Sequence, residues 1–246
     1  MSSNNSFLLK ISKKNPIFKK FYLFYNIYIR NYKYYFGINE KNSQFGEEKL
    51  ILKHFKKNYK GKFLDLGCFH PTRNNNTFKM YMKGWRGINI DLNPLSIDLF
   101  NFARPKDINI CAAVSDKKRQ KKLYFLGDLD TKNTIEKNHT KFLRKEFSIK
   151  NTDIKEKKIM TKTLNDILEK NGYYKIDFMN IDIEGHELKV LKTLNFKRFD
   201  IRLICVEIIN HNKKSISTNN KLIKFLKSKK YTLQDKIAVN YIFKKS

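Results

Sequence analysis

Five short apolar runs separated by stretches of helical periodicity constrain this chain more than any other feature. They fall at 62–67 (KFLDLG), 87–91 (GINID), 108–114 (INICAAV), 176–183 (IDFMNIDI) and 201–209 (IRLICVEII). Strands that are apolar almost throughout and alternate with helices build a mainly parallel sheet covered on both faces. Helical spacing before the first run covers Gly46 to Tyr59, with Leu50, Ile51, His54 and Phe55 on one face. Its Glu47 and Glu48 stand in the first turn, where the helix dipole favours them. After the fifth run, Asn219 to Ser228 reads as a basic amphipathic helix, and KKYTLQDKIAVNYIF as two strands around a turn near Asp235 and Lys236. The expected fold is α/β: a doubly wound, mainly parallel, seven-stranded sheet closed by a C-terminal β-hairpin.

The 246 residues suffice for one substantial core but would crowd two domains. We divide the chain into an N-terminal extension, 1–42, and a main domain, 43–246. Within the extension, residues 16–36 (PIFKKFYLFYNIYIRNYKYYF) combine dense aromatics with Lys19, Lys20, Arg30 and Lys33. The uncharged run Phe21 to Ile29 is far short of the ~20 residues that span a bilayer. The segment fits either a helix lying on a membrane surface or one packed on the main domain by its aromatics. Residues 117–160, polar and charged apart from a strand at LYFLG (123–127), read as an excursion or flap.

A formal net charge of +29 would draw the chain toward anionic partners. Only 8 of the 52 basic residues are arginine, however, and arginine is the usual reader of phosphate and guanine, so nucleic acid is not the expected partner. Cys68, Cys111 and Cys205 each lie in an apolar run without CxxC or Cys/His spacing. They read as buried thiols of a reducing compartment, and no metal is expected. The start MSSNNSFLLK lacks the elements of a secretory signal. The expected location is cytoplasmic, with peripheral attachment at the inner membrane face as the variant that a membrane-surface helix would give.

At the carboxyl end of the first strand, Asp65 is followed by Gly67, at the edge where ligands sit in doubly wound sheets. A full GxGxxG is absent, which argues against a dinucleotide. The second strand ends at Asp91, placed to accept hydrogen bonds from ribose hydroxyls, or alternatively to cap the helix that begins at Pro94. The third run supplies small residues at Ala112 to Val114, suited to an adenine pocket or a plain strand end. On the fourth strand, Asn180, Asp182 and Glu184 alternate onto one face, and Gly185 opens a helix with Leu188, Leu191 and Leu194 on its buried side. Glu207 and His211 close the fifth strand, so Asp182, Glu184, His186, Glu207 and His211 converge as groups able to orient and deprotonate a hydroxyl.

Five segments taken together resemble the FkbM family of S-adenosylmethionine-dependent methyltransferases: SQFGEEKLI (43–51), FLDLGCFHPTRNNNTFKMYMKGWRGINIDLNP (63–94), KTLNDIL (162–168), IDFMNIDIEGHELKVLKTL (176–194) and ICVEI (204–208). The resemblance implies a Rossmann-like methyltransferase fold and S-adenosylmethionine as cofactor. It also implies O-methylation, commonly of a sugar hydroxyl in a small molecule, surface glycan or lipid-linked saccharide. By motif position, Asp65, Gly67 and Cys68 would approach the methionine part of the cofactor, Asp91 and Leu92 the ribose, and Ala113 and Val114 the adenine. Asp182, Glu184 and Glu207 match acidic positions near the reaction centre. Competing readings are an RNA methyltransferase and a non-catalytic membrane or nucleic-acid binder that keeps the fold.

Overall fold

The computed structural model describes residues 8–9, 11–12, 14–208 and 221–246. Its main sheet has seven strands: β1 (Lys62–Leu66), β2 (Arg86–Asp91), β3 (Ile108–Cys111), β7 (Lys175–Ile181), β8 (Asp200–Glu207), β9 (Tyr231–Ile237) and β10 (Asn240–Lys245). Their order is β3-β2-β1-β7-β8-β10-β9, in which the first five strands are parallel and β10 runs antiparallel to both neighbours. The chain therefore starts in the middle, builds outward through β2 and β3, then returns to build the other half from β7. That reversal opens a crevice at the carboxyl ends of β1 and β7.

Side chains alternate across the sheet and each face is covered. Phe63, Phe178, Leu203 and Ile242 pack on one side with Ile51 of α3 (Glu47–Leu52), Met80 of α4 (Phe78–Met82) and Trp85. Leu64, Leu66, Ile88, Ile90, Met179 and Ile204 pack on the other side. They meet Leu168 of α7 (Leu164–Lys170), Leu191 of α8 (Glu187–Thr193) and Leu226 of α9 (Lys221–Ser228). Burial from both sides is why these strands read as unbroken apolar runs.

Several boundaries differ from expectation, each for a tertiary reason. The helix expected over 46–59 stops at Leu52, because Phe55 and Tyr59 turn to pack on Trp85, with ring centroids 4.8 and 5.6 Å away, and Trp85 Nε1 donates to Tyr59 O at 2.7 Å. The run 108–114 splits: β3 ends at Cys111, and β4 (Ala113–Val114) pairs instead with β6 (Lys155–Lys162). Cys111 is exposed rather than buried, since β3 is the sheet's edge. The final hairpin turns at Ala238 and Val239, two to three residues later than expected, with Ala238 at φ 50°. The expected apolar side of α8 packs on the core through Leu188, Leu191 and, just past the helix end, Leu194, joined by Val190.

The excursion 117–160 has a definite form. β5 (Gln120–Phe125) pairs antiparallel with β6, and α6 (Lys137–Phe147) lies between them in sequence, burying His139, Thr140 and Leu143. In the N-terminal extension, α1 (Pro16–Phe24), a π-helical turn (Tyr25–Arg30) and the short α2 (Tyr32–Tyr35) follow one another. Tyr22, Leu23 and Ile27 pack against Leu95 and Leu99 of α5 (Pro94–Ala103). Asn93 caps α5 by accepting from the Leu95 N–H at 3.1 Å, and Pro94 takes the first helical position. Among the described residues no helix is long and apolar enough to cross a membrane.

Candidate active site

The crevice at the sheet's reversal point holds a cavity of about 530 Å³, within the range of small-molecule sites. Asp65, Gly67, Cys68, Asp91, Leu92, Ala113, Val114, Asp182, Glu184, His186 and Glu207 all line it. His211, the remaining predicted site residue, lies outside the described residues.

The loop after β1 forms the floor, and it is tightly built. Gly67 adopts φ +83°, and a Cβ there would sit 1.6 Å from the carbonyl oxygen of Asp182. The ends of β1 and β7 thus meet backbone to backbone, with Asp182 N–H donating to Leu66 O at 2.9 Å. Asp65 is buried with both oxygens engaged: Oδ1 accepts from Asn180 Nδ2 at 2.9 Å, and Oδ2 from Asn75 Nδ2 at 3.1 Å and Thr77 Oγ1 at 2.8 Å. Burial raises its pKa, opposed by those three donors and by Arg104. Asp65 therefore holds the loop 67–77 in shape beneath the cavity. Cys68 stays a thiol, because burial and the charges of Asp91 and Asp65 push it well above the usual range.

The backbone N–H groups of Gly67 and Cys68 both donate to Ile90 O, at 2.9 and 3.2 Å, and that of Phe69 donates to Asp91 Oδ2 at 2.9 Å. A pyrophosphate cradle needs such donors free, and here they are spent. Asp91 also accepts from Asn93 N–H at 2.7 Å through Oδ1, and burial, partly offset by these bonds, raises its pKa to about 6. Asp91 is thus not the cap of α5, a role that Asn93 fills. Among the described residues the lining contains seven carboxylates, Glu47, Asp65, Asp91, Asp130, Asp182, Glu184 and Glu207, against Lys132 as the only lysine or arginine. In a chain of net charge +29 this cavity is an acidic enclave.

Past β7 the chain turns sharply, with Glu184 at φ 55° and Gly185 at φ 90°. The turn, rather than strand alternation, brings Asp182 and Glu184 to the cavity. Asp182 and Glu207 are hydrogen-bonded carboxyl to carboxyl, and burial together with Glu184 and Glu187 raises both. Glu207 keeps the proton that joins the pair, and its Oε2 has no other partner. Burial, with Glu187, also pushes Glu184 up to about 8, and its Oε2 lies 2.9 Å from His139 Nε2 of α6. His186 is tied on both sides: Nδ1 lies 2.9 Å from Glu136 Oε1, and Nε2 lies 2.9 Å from Ser115 Oγ. Burial works against ionisation of Glu136, but His186 and Lys189 win and hold it down at about 2. His186 therefore ties the β4 and α6 regions to the turn instead of standing free as a base.

Residues 61–233 match the model of the methyltransferase FkbM domain. The chain belongs to this family. No curated protein matches the chain at a significant level. The FkbM domain supplies a methyltransferase, and the β1, β2, β7 and β8 ends that frame the cavity all fall inside the match.

Sequence reasoning missed several residues in and beneath this cavity. Arg104, fully buried, donates from Nη1 to Thr77 Oγ1 at 2.9 Å and from Nη2 to Asn75 Oδ1 at 2.7 Å and to Pro71 O, and it faces the Phe100 ring at 4.9 Å. Burial lowers its pKa to about 10. Glu47 stands in the first turn of α3 as expected, but it also accepts from Asn240 Nδ2 at 2.6 Å and from Phe45 N–H at 2.9 Å and lines the cavity. Phe142, Leu143 and Phe147 of α6 form an apolar wall. The run of Asn74, Asn75, Asn76 and Thr77 after HPTR, longer than a helix cap requires, was the signal available for the loop network.

Proposed function

We propose that this chain is an S-adenosylmethionine-dependent O-methyltransferase of Rossmann-like fold that acts on a sugar hydroxyl in a glycan or lipid-linked saccharide. The observation that carries the reading is the acidic cavity whose loop donors are already spent. It suits a cationic sulfonium nucleoside and disfavours nucleotide phosphates, and for the same reason an RNA acceptor. Asp91 would hold the ribose hydroxyls, Leu92, Ala113 and Val114 the adenine, and Gly67 and Cys68 would adjoin the methionine part. When bound, the cofactor supplies an already activated methyl group, so the protein mainly positions the reactants and excludes water.

Asp182 is the base: it takes the hydroxyl proton as the acceptor oxygen takes the methyl. The hydrogen bond from Glu207 orients its carboxylate, and burial makes it more basic than an exposed one. Asn180, bonded to Asp65 at 2.9 Å and to Asn76 at 2.8 Å, fixes the strand end that carries it.

The test is calorimetric titration with S-adenosylhomocysteine. Micromolar binding by the wild type, lost by at least tenfold in Asp91→Ala with unfolding temperature held near wild type, is the expected outcome. Absence of binding by folded wild type overturns the reading.

A further inference from the structure

We infer that the outer face of the N-terminal extension docks on an anionic lipid bilayer. The extension presents apolar side chains both inward and outward. Tyr22, Leu23 and Ile27 face inward and are buried against α5. Outward stand Ile17, Phe18, Phe21, Phe24, Ile29 and Phe36, from 46% to 77% exposed. Tyr32 and Ile38 extend the same segment. Eight of the fifteen large hydrophobic side chains exposed among the described residues thus fall within 17–38. Scattered apolar residues at a surface are ordinary, but this concentration on one segment marks an interaction face.

Charge selects the occupant. Residues 1–39 contain seven Lys and Arg and no Asp or Glu. Among them Lys14, Lys20, Arg30 and Lys33 are exposed beside the aromatics, and Lys19 is paired with Asp98 at 2.7 Å. A second copy of the chain would place these like charges against one another across a symmetric contact, which is costly. A nucleic acid would reward flat stacking platforms and arginines, whereas Ile17, Ile29 and Ile38 cannot stack. A bilayer surface rich in anionic headgroups satisfies both parts: the apolar side chains enter the acyl boundary and the lysines meet phosphates.

Its place in the fold gives the face a use. Gln44 lies six positions after Ile38, a reach of roughly 20 Å fully extended, and Gln44, Phe45 and Glu47 line the cavity. The docking face is therefore close to the site in chain length. The inference nonetheless concerns the surface alone, and its test needs neither cofactor nor acceptor.

The experiment is flotation of the full chain with vesicles of phosphatidylcholine, alone or containing roughly one-third phosphatidylglycerol. Wild type should float with the anionic vesicles and not with the neutral ones. Phe18→Ser/Phe21→Ser and Lys20→Glu/Arg30→Glu should each weaken binding at least tenfold with unfolding temperature unchanged. Lys224→Glu/Lys227→Glu, an equal charge change on α9, should stay within about twofold. No flotation of folded wild type overturns the inference, as does an equal loss in the α9 variant, which would assign the binding to overall charge. A concentration-dependent dimer abolished by Phe18→Ser/Phe21→Ser, without vesicle binding, would assign the face to a second copy and overturn it equally.

Discussion

A single added methyl at Gly67 would have to displace the Asp182 carbonyl, which is backbone and cannot swing aside. Gly67→Ala should destabilise the fold by about 3 kcal/mol or more, or prevent folding, as read by denaturant unfolding. Arg104→Met tests a buried network: Asn75, Thr77 and Pro71 would lose their donor, at a cost of about 1–3 kcal/mol for each polar group left unsatisfied. The base assignment is tested with Asp182→Asn, which should abolish turnover while leaving S-adenosylhomocysteine affinity within a few-fold; a fully active variant removes Asp182 from that role. Asp65 and Asp91 were legible because a polar residue in an apolar strand needs a reason, and Gly67 because a glycine at a strand's carboxyl end admits a close approach. Arg104 was not, since nothing local distinguishes a guanidinium that folds back onto Thr77 from one in solvent. The sequence likewise gives no hint that Asp65 has its oxygens consumed by Asn75, Thr77 and Asn180.

The strands of the main sheet could be read because burial on both sides leaves no alternation to misjudge. Helix ends and the split of 108–114 could not, because they depend on partners far along the chain: Trp85 draws Phe55 and Tyr59 out of a helix, and Lys162 pairs with Val114. The excursion 117–160 was opaque for the same reason, as β5 finds β6 only after α6 intervenes. α6 closes one side of the cavity with Phe142, Leu143 and Phe147, and Asp130, Lys132 and Ile135 precede it on the same wall. Ligand in the cavity would bury these residues and shift local opening equilibria. Amides between 130 and 147 should exchange more slowly by at least tenfold in saturating S-adenosylhomocysteine, measured by hydrogen exchange, while those of Tyr231 to Leu233, at the end of β9 away from the lining, should not change.

At the scale of the whole molecule, the acidic enclave makes stability depend on pH in a particular sense. Glu207 and Glu184, raised above about 4.3, the ordinary value for glutamate, and Asp91, raised above about 3.9 for aspartate, bind protons more tightly folded than unfolded. Their contribution is fullest below about pH 4 and is lost as pH rises through about 6 for Asp91 and about 8 for Glu184. Glu136, held down at about 2, acts in the opposite sense, but only as pH falls below about 4. The unfolding temperature should therefore fall between pH 5 and 8, and Glu207→Gln, a neutral stand-in for the protonated acid, should flatten that slope; an unchanged slope would show that the buried acids do not titrate on unfolding.

The hydrogen bond between His70 Nε2 and Asn26 Oδ1, 2.9 Å long, ties the extension to the loop under the cavity. Asn42 adds a second tie, donating from Nδ2 to Thr72 O at 2.8 Å, and is itself fixed to α3 by its N–H, which donates to Glu48 Oε1 at 2.9 Å. The family match begins at 61, yet the groups that hold its first loop come from as far back as residue 26. The recognisable domain and the set of groups that hold its first loop thus have different borders in this chain. Shortening it to the match would leave His70 Nε2 and the Thr72 carbonyl without the Asn26 and Asn42 side chains that meet them, and the shortened chain should be recovered insoluble where one beginning at residue 14 is not.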